Sequence, residues 1–316
     1  MRIFRFEKWF VDVLTAEGDY VIIFHTLTEV FGKKLCFVEV NIGRFEESGD
    51  SKGYHFNQKL KLLKREKHTV STREGDILLE AGLGSMKLSL RDIDLDLVLS
   101  PVHHSGFDLP GMRIPETGHR ALNWKPLFIK TMVSGKLRLK GDDQQVMGNG
   151  YVDYLISTLS PFKVPVRQLY WGRLHSKDCD LTYSYAMDKN GELVGSQMIL
   201  QVGGNRIQLD KVEIQPADWK KFDPPGISCP QTYTLEAYDE ACRVKMNVIH
   251  TKPAIISEFV KNTGELGFLR LALLKKISKN PRGIKFFSVA SLDLTIDGRT
   301  EKLDNMLMID EYVKFT

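Results

Sequence analysis

The stretch Met147–Arg173, MGNGYVDYLISTLSPFKVPVRQLYWGR, decides how the chain is read. Gly148 and Gly150 bracket Asn149 at the mouth of a strand. Tyr151 and Asp153 then project from one face of that strand, because side chains alternate along it. Pro161 and Pro165 mark a linker, and a second strand follows with Tyr170, Trp171, Gly172 and Arg173. Aromatic rings, a carboxylate and a guanidinium gather here more densely than anywhere else in the chain. The rest reads as scaffold.

Outward from this stretch the pattern is strand after strand. Trp9–Leu14, Tyr20–Leu27, Leu35–Ile42, Tyr54–Leu63, Asp76–Leu79, Ser85–Leu90, Ile93–Leu99 and Phe128–Leu139 precede it. Gln168–His175, Leu181–Met187, Leu193–Val202, Arg206–Ile214, Thr232–Tyr238, Cys242–His250, Phe286–Ile296 and Lys302–Lys314 follow. Alternating apolar residues and β-branched or aromatic enrichment define these runs. Asn190-Gly191 and Asp297-Gly298 are strong hairpin signals, and Gly18-Asp19 and Gly32-Lys33 are weaker ones. Asp94 and Asp96 alternate with leucines, which predicts a solvated outer face rather than a cation site. Residues 101–126, with Pro101, His103, His104, His119 and Trp124, lack a period and read as a long functional loop. A single amphipathic helix is predicted over about 254–279. The fold class is therefore all-β, as two antiparallel barrels or sandwiches, residues 1–165 and 166–316, with one helix in the second.

Composition narrows the function. The chain has 316 residues, 42% of them hydrophobic and 27% charged, with a formal charge of +4, as in an ordinary globular protein. That small excess of positive charge gives no support to a nucleic-acid partner. Cys36, Cys179, Cys229 and Cys242 lack metal-ligand spacing, and no glycine-rich phosphate loop opens a helix. No metal and no cofactor are implied. The apolar runs are too short or too charged for a signal peptide or a membrane span, so a soluble cytoplasmic protein is expected. The basic, leucine-rich helix either caps a barrel or rests peripherally on an anionic membrane. Oligomeric state is not legible.

Four motifs carry a resemblance. Gly148-x-Gly150-Tyr151-x-Asp153 is followed at about twenty residues by Trp171-Gly172-Arg173. The chain opens with Glu7-Lys8-Trp9-Phe10 and closes with Asp310-Glu311-Tyr312-Val313. Together these resemble the carotenoid 1,2-hydratases (hydroxyneurosporene synthases) and the related AttH-type proteins. The resemblance implies two lipocalin-like barrels with a cavity for a hydrophobic polyene or isoprenoid at their junction. Where the hydratases read Tyr-His-Asp-His-Asn-Trp-Gly, this chain has Tyr151-Val152-Asp153-Tyr154-Leu155-Ile156-Ser157, without either histidine or the Asn-Trp pair.

On this reading Asp153 and Tyr151 are the catalytic candidates. Trp171, Arg173, Trp124, Tyr154 and His104 are the candidates for substrate binding. A buried Asp153 would protonate an alkene or carbonyl, and ring faces would stabilise the resulting cation. Hydration, isomerisation and cyclisation all follow from that cation. Two alternatives stand beside this reading. Asp153 and Arg173 form a purely structural ion pair, or the protein carries a lipid or pigment without altering it.

Overall fold

The computed structural model describes residues 4–30, 32–44, 53–66, 69–79, 84–102, 111–115, 121–159, 164–223, 226–258 and 281–315. The chain divides into two compact units, Met1–Ser160 and Pro161–Thr316. The first unit holds β1 (Phe4–Thr15), β2 (Asp19–Val30), β3 (Lys33–Arg44), β4 (Tyr54–Leu60), β5 (Leu62–Glu66), β6 (Thr69–Thr72), β7 (Gly75–Leu79), β8 (Gly84–Ser89), β9 (Ile93–Pro101), β10 (Met112–Pro115), β11 (Ala121–Leu139) and β12 (Asp142–Ser157). The second holds β13 (Gln168–His175), β14 (Cys179–Met187), β15 (Leu193–Val202), β16 (Asn205–Leu209), β17 (Lys211–Phe222), β18 (Ile227–Tyr238), β19 (Cys242–Glu258), β20 (Pro281–Ile296) and β21 (Arg299–Phe315).

Each unit is one antiparallel sheet. In the first the strand order is β4-β3-β2-β1-β12-β11-β9-β8-β7-β6-β5, with β10 paired to β11. In the second it is β16-β15-β14-β13-β21-β20-β19-β18-β17. The two orders follow one plan: the first and last strands of the unit pair at the centre, and the outermost strands are consecutive in sequence. Only Lys61 separates β4 from β5, and only Asp210 separates β16 from β17. Two Cα steps span at most about 7.6 Å, whereas eleven strands laid flat would cover about 48 Å. Each sheet must therefore curl until its edges meet.

The corners are pinned locally. Lys61 N donates to Glu74 Oε2 at 3.0 Å, and Lys61 O accepts from Arg73 N at 3.0 Å. Asp210 O accepts from Ser196 Oγ at 2.7 Å, and Asp210 Oδ1 accepts from Gln208 Nε2 at 2.8 Å.

The curl gives each sheet a concave face that collects its core. Trp9, Val11, Val13, Ile23, Val40, Leu97, Val133 and Tyr154 belong to the first. Tyr170, Leu174, Tyr183, Leu235, Val248, Phe286 and Tyr312 belong to the second. On β9 the leucines point inward, while Asp94 pairs with Arg138 and Asp96 lies 3.1 Å from Lys87, the solvated face that its alternation predicts. The Asp297-Gly298 turn takes φ of 48° and 77°, as a tight hairpin of the sheet's own twist requires.

Three expectations need correction. Tyr54–Leu63 and Arg206–Ile214 are not single strands; each breaks at the corner residue. Residues 101–126 are not all loop, since Met112–Pro115 and the start of Ala121–Leu139 pair with each other in register. The predicted helix is not seen: residues 254–258, where it would begin, continue β19, and the rest of it lies in 259–280, outside the described residues. Ile255 and Ile256 are β-branched and suit a strand as well as a helix.

Gly148 and Gly150 are strand residues of β12 rather than a turn. A Cβ on Gly150 would lie 2.5 Å from Asp12 O and 2.8 Å from Val133 Cγ2, so β1 approaches β12 too closely for any side chain there. Gly150→Ala is expected to cost about 1–3 kcal/mol through forced separation of β1 and β12. It would read out as a lower urea midpoint at unchanged m-value; an unchanged midpoint would mean that the strands move apart freely.

Candidate functional site

The four motifs pair two and two. Glu7–Phe10 on β1 lies opposite Asp153–Ile156 on β12, and Trp171–Arg173 on β13 lies opposite Ile309–Glu311 on β21. They are the central seams of the two sheets. Alternation then sends half of each motif inward and half outward.

In the first unit Trp9, Val11, Val152 and Tyr154 take the concave side. Lys8, Phe10, Asp12, Tyr151 and Asp153 take the opposite side, and all of them are buried. Asp153, 1% exposed, sits across from Phe10 on β1 and Pro126 on β11. The rings of Phe10 and Tyr151 are 6.1 Å apart, those of Phe10 and Phe24 5.2 Å, and Lys8 Nζ stands 4.9 Å over Phe24. Trp124, opposite Leu155, shares this face and is also buried. The structure thus brings Asp153, Tyr151 and Trp124 onto one aromatic surface.

Tyr154 is not part of that surface. Its hydroxyl donates to Glu7 Oε2 at 2.7 Å, and its ring lies 5.1 Å from Trp9. Arg65 donates to the same Glu7 oxygen from Nε at 2.9 Å, and Arg5 Nε reaches Glu7 Oε1 at 2.6 Å. Burial opposes ionisation of Glu7, but the hydrogen bonds from Arg65 and Tyr154 and the charges of Arg65 and Arg5 outweigh it and hold the carboxyl below its usual range. Burial, and then the charge of Glu7, push the Tyr154 phenol up to about 12.

In the second unit Trp171 and Arg173 lie on the face opposite the core, both buried. Lys285 Nζ stands 4.5 Å over the Trp171 ring and donates to Glu311 Oε2 at 2.5 Å, a fully buried ion pair. His175 Nδ1 is 3.3 Å from Asp180 Oδ1 on the same face. His104 lies outside the described residues.

The concave side of the second unit carries a polar cluster that the sequence reading missed. Asp310 Oδ2 accepts from Tyr233 OH at 3.0 Å and faces His250 Nε2 at 2.6 Å, while Ser288 Oγ donates to Asp310 Oδ1. Tyr233 OH is also hydrogen-bonded to Tyr183 OH. His250 Nδ1 is 2.7 Å from Pro230 O, and its ring stacks on Phe286 at 3.9 Å. A carbonyl only accepts, so Nδ1 carries a hydrogen, and a single further proton is shared between Nε2 and the Asp310 carboxyl. Asp310 stands in the closing motif, but its partners carried no signal beyond polarity at inward positions: His250 and Ser288 are cross-strand partners, and Asp310 shares their side. Among the described residues no group of three or more His, Cys, Asp or Glu side chains is arranged to hold a metal ion. No helix of the described residues is long and apolar enough to cross a membrane.

With this geometry the chain can be set beside known proteins. No family model and no curated protein sequence matches it. Among solved structures it is similar to an AttH-type protein from Nitrosomonas europaea, with 13% identity, TM-score 0.62, and coverage of 99% of this chain and 93% of that one. It is similar at 10% identity and TM-score 0.62 to CghA solved with Sch210972, covering 99% and 89% of the two chains. Kievitone hydratase from Nectria haematococca gives 8% identity and TM-score 0.55, again over 99% and 89%. The likeness shows the fold alone: this chain shares the all-β fold of curled antiparallel sheets with these solved structures.

His25, buried beside Trp9 with its Nε2 3.6 Å from Cys36 Sγ, sets a measurable pH dependence. Burial lowers its pKa from 6.5 to about 4. The unfolded chain therefore binds a proton between those values that the folded chain refuses. Stability contributed by the neutral ring is complete above pH 6.5 and is lost as pH falls toward 4. The loss amounts to about 3 kcal/mol. Denaturation curves across this window should fall less steeply for His25→Leu than for the wild type, and equal slopes would contradict a neutral buried ring.

Proposed function

We propose that this protein is an enzyme that transforms a polyene- or isoprenoid-type small molecule without a cofactor, with Asp153 as the proton donor and Tyr151 beside it. The observation that carries this reading is a carboxyl only 1% exposed, on a face where Phe10, Phe24, Tyr151 and Trp124 stand with Lys8 and Asp12. A carboxylic acid kept from water and held against ring faces can donate a proton to an alkene or carbonyl. The electron pair of the alkene takes the proton, and the ring faces stabilise the cation that is left. Capture by water and loss of a proton from that water gives hydration. Loss of a proton from a neighbouring carbon to the Asp153 carboxylate gives isomerisation, and attack by an internal alkene followed by loss of a proton from the new cation to the same carboxylate gives cyclisation.

The presence of a kievitone hydratase and of a Sch210972 complex among proteins of this fold supports a hydrophobic substrate and favours catalysis over carriage. The departures from the hydratase motif at Val152, Tyr154 and Leu155–Ser157 leave hydration as one of three outcomes, not the preferred one.

Incubation with a polyene extract, followed by mass spectrometry of bound and released species, tests the proposal. A product heavier by one water marks hydration; an isobaric product with altered retention marks isomerisation or cyclisation. Asp153→Asn should reduce turnover by about 100-fold or more while retaining the bound substrate. Undiminished turnover in Asp153→Asn would remove the acid role, and recovery of the polyene unaltered from the wild type would point to a carrier.

A further inference from the structure

The interior of the second unit contains a feature that the proposed chemistry at Asp153 does not use. Tyr170 and Tyr312, 2% and 1% exposed, stand with ring centroids 5.1 Å apart, and among the described residues neither hydroxyl has a hydrogen-bond partner. A buried hydroxyl without a partner costs about 1–3 kcal/mol, and two such groups side by side in a folded core call for an acceptor. The described residues around them supply none. Burial above all drives both phenols upward, against a smaller opposing effect of Arg167 on Tyr312, so both remain protonated donors.

These donors lie on a continuous file of rings. Trp219, 49% exposed, meets Tyr312 edge-on at 6.1 Å. Tyr312 meets Tyr170, and Tyr170 meets Tyr233 at 6.0 Å. Tyr233 is fixed in turn by its hydrogen bond to Asp310, which His250 also holds. The file therefore runs from solvent at Trp219 to an immobilised polar cluster, with two idle donors part-way along it. Asp218, immediately before Trp219, takes φ of 53°, a left-handed backbone that turns the strand at the point where the indole meets the interior.

We propose that the concave interior of the second unit is a binding site for a flat, conjugated small molecule bearing a carbonyl oxygen, which accepts hydrogen bonds from Tyr170 and Tyr312 and stacks toward Trp219. Tyrosine donors discriminate for such a ligand: a molecule of the same shape without the oxygen leaves both hydroxyls unpaired, so it gains only the apolar contact. Asp310 and His250 act as positioning residues that hold Tyr233 at the closed end.

α-Tetralone and tetralin, which differ by one carbonyl oxygen, provide the test by isothermal titration calorimetry on the full chain. α-Tetralone should bind saturably, and tetralin more weakly. Tyr170→Phe and Tyr312→Phe, which keep the ring and its packing, should each weaken α-tetralone by about fivefold or more, the effect of one net hydrogen bond, and leave tetralin unchanged. Trp219→Ala should weaken both. Asp153→Asn should leave α-tetralone binding intact, so this outcome and the fate of the Asp153 reading are independent. Absence of saturable α-tetralone binding would overturn the proposal. Equal affinity of the wild type and both phenylalanine variants would overturn it as well, because the hydroxyls would then be satisfied by water alone.

Discussion

The closure of each sheet upon itself is the constraint from which the rest of the structure follows. A sheet whose outermost strands are joined by one residue has no freedom to lie open. Its twist accumulates in one direction, its concave side loses contact with water, and its first and last strands meet as neighbours. In the two strand orders the edges left unpaired are those of β4 and β5 in the first sheet and of β16 and β17 in the second, so most strands are hydrogen-bonded on both sides and closed to pairing with other chains. The corners are small, Lys61 and Asp210, yet everything inward or outward of the sheet is defined by them.

Once a sheet is curled, strand parity assigns chemistry. Residue 151 or 153 faces one way and residue 152 or 154 the other, and a slip of one position would exchange the two sets entirely. The seams are held against such a slip by costly polar pairs. Glu7 takes hydrogen bonds from Arg65, Arg5 and Tyr154, which join β1, β5 and β12. Lys285 and Glu311 do the same for β20 and β21. Buried ion pairs of this kind add little net stability over apolar replacements, because desolvation offsets their attraction. Their effect is on register: any other alignment would strand a charge in the interior.

Much of this was legible in the sequence and some was not, for physical reasons. Alternation on Ile93–Leu99 and the Asp297-Gly298 turn each rest on local geometry, and the structure follows them. The corners were invisible because neither Lys61 nor Asp210 is a glycine or proline; a strand that turns from one edge to the other retains its apolar period across the turn. The helix over about 254–279 failed at its start for the opposite reason, since Ile255 and Ile256 satisfy two periods at once and only pairing with β20 decides between them. That Tyr151 and Asp153 share one side of β12 could be inferred, whereas the assignment of Tyr154 to Glu7 depends on a residue 147 positions away in sequence. Asp310, His250 and Ser288 have the same character: three ordinary strand residues whose significance appears only when β19, β20 and β21 are aligned.

The two units share one strand plan but fill it differently, and that difference bears on function. The first closes its concave face mainly with aliphatic residues around Trp9 and sets the Glu7 cluster against them. The second lines the same face with Tyr170, Tyr183, Tyr233 and Tyr312 and sets a carboxylate and an imidazole among them. A core selected for stability alone would not retain phenols where leucines fit, because each buried hydroxyl requires a partner and each partner constrains packing. Gly172 reinforces the point: a Cβ there would collide with the Tyr183 ring, so the backbone has given up a side chain to accommodate a tyrosine. The first unit makes a similar concession, since a Cβ on Gly43 would collide with the Tyr20 ring; what sets the second interior apart is the set of four tyrosines lining it and the Asp310–His250 contact among them.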